Sequence, residues 1–215
     1  MNITKMKMKK LCLLCLMTGT AHGAVIYSET FGTWSNYTAL PSGWTRTGTF
    51  AKGKYNQDGY TGANPNLGVG EDAHVFLGAD STPGGVTMLG TVGTLAANSD
   101  YSLSLYLGGM RNGIGGASND GIYTISLMNL TANTVLSTLT QLQSGITADQ
   151  VQLFTLPTYS HLNTVTGNNL GIKVDFTGRF GIVDEIKLSS VAAVPETSSL
   201  LLSSLGVIGL LRRRR

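Results

Sequence analysis

An all-β fold, an antiparallel β-sandwich of the jelly-roll type, is what three features of the 215-residue sequence predict. Apolar residues alternate with a period of two in several short runs, as they must when one face of a strand is buried and the other is wet. Glycine occurs 28 times and proline 5 times, and glycine- or asparagine-rich clusters separate the runs at turn positions. No long window carries the 3.6-residue apolar period of a helix, and the many short strands that remain suit a sandwich.

In chain order, 25–31 is the first strand and 74–79 the next. Tyr101, Leu103, Leu105 and Leu107 share one face of a central strand, with Ser102, Ser104 and Tyr106 on the other. Strands follow over 122–128 and 151–156, with a short helical turn expected near 147–150. Leu170, Ile172, Val174 and Phe176 then turn one way while Gly171, Lys173 and Asp175 turn the other. In the last strand Phe180, Ile182, Asp184, Ile186 and Leu188 fall in one row, which sets a carboxylate in an apolar face. Asp58-Gly59, Pro83-Gly84-Gly85, Asn98-Ser99-Asp100, Asn119-Asp120-Gly121 and Gly167-Asn168-Asn169 mark the turns.

The two ends read differently from the body. Lys5, Lys7, Lys9 and Lys10 precede an apolar run over 11–17, and Ala21-His22-Gly23 offers small residues for cleavage before Ala24, so 1–23 reads as an N-terminal signal peptide. The body spans 24–190, with 191–194 as a tether. Residues 195–215 read as a short hydrophobic helix, apolar from Leu200 to Leu211 and closed by Arg212, Arg213, Arg214 and Arg215. That stretch is short for a span, but arginine side chains can snorkel to the headgroups. Arginines at its end hold that side in the cytoplasm while the signal peptide sends the body across. The expectation is an exported protein, transiently anchored in the inner membrane by its C-terminal segment and destined for the cell surface or an extracellular matrix.

Charge follows the same division. The whole chain carries +3, yet residues 24–194 hold seven basic and eleven acidic residues, a net −4. A nucleic-acid partner is thereby excluded. Cys12 and Cys15 both lie in the signal segment, so the body has no disulfide, thiol nucleophile or cysteine metal ligand.

Val194-Pro195-Glu196, the apolar stretch and the arginine cluster, in that order at the extreme C-terminus, resemble the PEP-CTERM sorting signal of Gram-negative bacteria. Thr197 stands where that pattern has its second proline. The resemblance implies processing by an exosortase-type enzyme near Val194, Pro195 and Glu196. Glu29-Thr30-Phe31 with Leu40-Pro41-Ser42-Gly43-Trp44, the central stretch Asn98-Ser99-Asp100-Tyr101-Ser102-Leu103-Ser104-Leu105, and the closing Phe180-Gly181-Ile182-Val183-Asp184-Glu185-Ile186-Lys187-Leu188-Ser189 resemble the strands of adhesin-type and carbohydrate-binding-like jelly rolls. That resemblance implies a structural Ca2+ where first and last strands meet, held by Glu29 and Asp184. Oxygen ligands are what calcium takes, and two carboxylates in apolar rows need a counter-charge.

Chemistry is otherwise sparse. Gly48-Thr49-Phe50-Ala51-Lys52-Gly53-Lys54 has the glycine and lysine spacing of a phosphate loop, but Tyr55 stands where a magnesium-ligating hydroxyl belongs and no strand-to-helix unit surrounds it. His74 and His161 are the two histidines of the body, too isolated for a zinc set. Glu71-Asp72 is the least poor carboxylate pair for glycoside cleavage. Trp34, Tyr37, Tyr55 and Tyr60, with Asp58 among them, could form a stacking platform for a polysaccharide. The expectation is a noncatalytic, structural or carbohydrate-interacting protein. Its alternative is a glycan-active hydrolase or lyase on the same scaffold.

Overall fold

The computed structural model describes residues 23–31, 40–48, 50–54, 73–77, 84–109, 121–148, 150–162, 164–179 and 181–193. Its strands are β1 (Ala24–Glu29), β2 (Trp44–Thr47), β3 (Phe50–Lys54), β4 (Ala73–Leu77), β5 (Gly84–Thr94) and β6 (Ser99–Gly108). They continue with β7 (Ile122–Asn129), β8 (Thr134–Leu142), β9 (Val151–Thr155), β10 (Tyr159–His161), β11 (Asn169–Gly178) and β12 (Gly181–Ala192).

Two antiparallel sheets form. One has five strands in the order β2-β5-β11-β7-β8. The other has seven strands in five positions: β9 and β10 share one edge of β6, β1 and β4 share one edge of β12, and β3 lies outside β4. The inner faces follow from the alternation. Tyr101, Leu103, Leu105 and Leu107 of β6 meet Leu170, Ile172, Val174 and Phe176 of β11 in one core, all at most 1% exposed. Burying side chains of this size stabilises by about 1.5–3 kcal/mol each.

The sandwich stands as expected, and two parts of the expectation change. Among the described residues the sole helical element is a 3-10 turn at Gln143–Gly145, four residues before the expected turn. No helix of the described chain is long and apolar enough to cross a membrane. The short hydrophobic C-terminal helix, the inner-membrane anchor and the localisation built on it find no support among the described residues. The residues on which those expectations and the signal peptide fell, 1–22 and 194–215, lie outside the described residues. Val191 and Ala192, the start of the expected tether, are strand: they pair with Asp100 and Ser99 of β6, and the Ala193 amide donates to the Asn98 carbonyl.

Strand β5 shows why its alternation was hard to read. Val86, Met88 and Val92 face the core, but Gly90 breaks the row. A Cβ at Gly90 would lie 2.3 to 2.7 Å from ring atoms of Trp44, its partner across β2. The indole fills the place of the missing side chain. Gly90→Ala is expected to displace Trp44 and to destabilise by about 1–3 kcal/mol in urea unfolding, the usual cost of overpacking.

The displaced ring also carries a hydrogen bond. Trp44 Nε1–H donates to the Tyr27 hydroxyl at 2.6 Å. Burial pushes the Tyr27 hydroxyl above its ordinary value of 10.0, the Trp44 bond pulls it back, and Glu29 pushes it up again. The unfolded tyrosine ionises first, so its contribution is whole below pH 10 and declines as pH rises toward the folded value. A melting series across that range, with Tyr27→Phe for comparison, should show a fall that the variant lacks.

Candidate functional site

The one carboxylate set apart by register is Asp184, and the structure changes its row. Strand β12 carries a bulge: Asp184 pairs with Tyr106 and Lys187 with Ser104, so Glu185 and Ile186 together face Leu105. Glu185 adopts φ +43, the left-handed geometry that one class of bulge takes. Val183, Ile186 and Leu188 consequently join the core. Ile182 and Asp184 pass to the opposite face, opposite Gly108 and Tyr106 of β6. The expected row of Ile182, Asp184, Ile186 and Leu188 is thus split, because one inserted residue shifts the side-chain phase.

Asp184 is nonetheless 0% exposed and Tyr106 7% exposed, on the face turned away from the core. The Glu185 amide donates to Asp184 Oδ1 at 2.8 Å, so the carboxyl caps the bulge that re-aims it. A buried carboxyl and a buried phenol side by side on neighbouring strands are groups that can donate or accept protons.

Glu29 lies elsewhere. It pairs with Ile186, and shares its face with Tyr27, which packs against the core. Its Oε1 accepts the amide of Phe31, which sits at φ +53. By register, Glu29 and Asp184 belong to opposite faces of the sheet, and each gives one oxygen to a nearby amide. Among the described residues no three histidine, cysteine, aspartate or glutamate side chains gather as a metal set. These two side chains do not fit one calcium ion.

His161 is 4% exposed, with Nε2 at 2.8 Å from the Val165 carbonyl and Nδ1 at 3.3 Å from the Tyr159 hydroxyl. Both ring nitrogens are occupied, which makes it a clasp between β10 and the following loop. His74 lies on β4, and the phosphate-loop-like stretch forms β3, paired with β4 over Phe50 to Lys54. Trp34, Tyr37, Tyr55, Asp58, Tyr60, Glu71, Asp72, Val194, Pro195, Glu196 and Arg212 to Arg215 lie outside the described residues.

Sequence reasoning missed two residues. Tyr106 was placed on the outer face, but its pairing with Asp184 exists only because of the bulge. Tyr123 passed as one more strand residue. Its hydroxyl donates to the Gly108 carbonyl at 2.7 Å and accepts the Ile182 amide at 2.8 Å, while its ring lies 4.6 Å from Phe176. It joins the two sheets beside the Asp184 face.

No protein-family model matches the chain, and no curated protein does. Solved structures do match. A cyclase from Fischerella sp. TAU is similar at 19% identity and TM-score 0.54, over 72% of this chain and 87% of that one. An apo form cyclase from Fischerella sp. is similar at 18% identity and TM-score 0.52, over 86% and 93%. The Stig cyclase Fisc, solved with (3Z)-3-(1-methyl-2-pyrrolidinylidene)-3H-indole, is similar at 17% identity and TM-score 0.51, over 83% and 93%. At these identities the likeness establishes the two-sheet fold. The noncatalytic expectation is not upheld, since the fold is shared with proteins named as cyclases.

Proposed function

We propose that the chain is an enzyme of the acid–base type that cleaves a glycan, as a hydrolase or a lyase, with Asp184 as its working carboxyl group. The observation that carries this reading is the bulge at Glu185, which turns Asp184 out of the core and sets it, buried, against Tyr106. A positioned carboxyl group can give or take a proton in the bond-breaking step. In hydrolysis the carboxyl would protonate the leaving oxygen while a second carboxylate activates water. In elimination a phenol such as Tyr106 would pass the proton. Glu71 and Asp72 supply the second carboxylate in this proposal, and Trp34, Tyr37, Tyr55, Tyr60 and Asp58 the stacking platform, both on the sequence alone.

The test is incubation of the full chain with a panel of polysaccharides, following reducing ends and the absorbance of an unsaturated product. New ends without unsaturation indicate a hydrolase, and ends with it a lyase. No cleavage of any substrate would overturn the reading.

A second reading has specific support, since four matched structures above TM-score 0.5 are named as cyclases and two of them hold an indole-bearing ligand. Here Asp184 would protonate a small unsaturated substrate and so trigger ring closure. Processing by an exosortase-type enzyme at Val194-Pro195-Glu196 is a separate proposal resting on the sequence of the tail.

A further inference from the structure

We propose that β8 is a self-association edge, on which a second copy of this chain adds its own β8 in antiparallel pairing to extend the five-stranded sheet across a two-fold axis. Unpaired strand edges invite other strands, and proteins ordinarily block them with charge, proline, bulges or brevity. The other described edges carry such protection. Strand β3 holds Lys52 and Lys54, β2 is four residues long with Arg46, and β1 has a bulge between Val25 and Tyr27 and ends in Glu29. The β9 and β10 edge is split into pieces of five and three residues around Pro157. Strand β8 is nine residues, TVLSTLTQL, without charge or proline. Its irregularity lies at its start, beside Val135, which leaves Ser137 to Leu142 as a regular edge.

Charge and register favour a second copy as the occupant. From Gly121 to Ile172 the sole Asp, Glu, Lys or Arg is Asp149, so two copies of this wall meet without like-charge repulsion. A two-fold axis perpendicular to the sheet keeps outer faces outer, so pairing must be centred on a residue. Centred on Leu139, each exposed Thr138 meets Thr140 of the partner on the outer face, and Leu139 meets its equivalent on the inner face, where it already packs against the core. Threonine pairs and apolar pairs are favourable across antiparallel strands. Val135 and Leu142, 57% and 53% exposed, flank the contact.

The test is sedimentation velocity of the full chain over a range of concentrations. The wild type should sediment as a dimer that dissociates on dilution. Thr140→Lys should show half that mass at every concentration with an unchanged circular dichroism spectrum, while Thr45→Lys on the opposite edge should dimerise like the wild type. A monomeric wild type, an associating Thr140→Lys, or dissociation caused by Thr45→Lys instead would each overturn the proposal.

Discussion

Replacing Tyr123 with phenylalanine should destabilise the fold by about 2–4 kcal/mol, an effect large for one oxygen atom. The Tyr123 hydroxyl is buried and serves both the Gly108 carbonyl and the Ile182 amide, groups on neighbouring strands of the opposite sheet. Phenylalanine keeps the ring against Phe176 but gives neither bond, and a buried backbone group left unpaired costs about 1–3 kcal/mol. Chemical denaturation at constant m-value would measure the loss directly. A change below about 0.5 kcal/mol, the usual size of a surface substitution, would mean the hydroxyl does not tie the sheets.

Asp184→Ala should cost about 2–3 kcal/mol, since the Glu185 amide loses its acceptor and a buried volume is left empty. The extra residue at Glu185 stands at φ +43, a geometry unfavourable for a side chain with Cβ and held in place by its surroundings. Removing the acceptor removes part of that hold. Asp184→Asn keeps an oxygen for the amide and should retain most of the stability. The pair of variants separates the cap from the proton: alanine should lose stability and turnover, and asparagine turnover alone. Similar melting temperatures for Asp184→Ala and the wild type would show that the carboxyl does not hold the bulge.

The parts of this fold legible in the sequence are those where side-chain phase runs unbroken. Strands β6 and β11 alternate cleanly, and each expected inward residue is in the core. Phase is lost where a glycine or an inserted residue interrupts it. At Gly90 the place of a side chain is taken by Trp44, 46 positions away in sequence, so β5 looks like a broken run. Strand β8 was missed because the edge leaves most of its residues at least partly exposed, and little burial contrast writes little alternation. The Asp184 row failed for a subtler reason: nothing local in Ile182 to Leu188 announces an extra residue, and it becomes visible only in the register against β6. The pairing of Asp184 with Tyr106, 78 positions apart, is a product of that register and could not be read from spacing.

Asp184 is proposed as a buried proton-handling group rather than a structural residue of the core. The most direct measurement is turnover by the full-length wild type and by Asp184→Asn on the same polysaccharide panel, each shown folded by circular dichroism and melting. The wild type should cleave, and the variant should lose about a hundredfold or more in turnover at near-equal stability, the scale of a positioned acid or base. Equal turnover by wild type and Asp184→Asn, or none by the wild type, would contradict it.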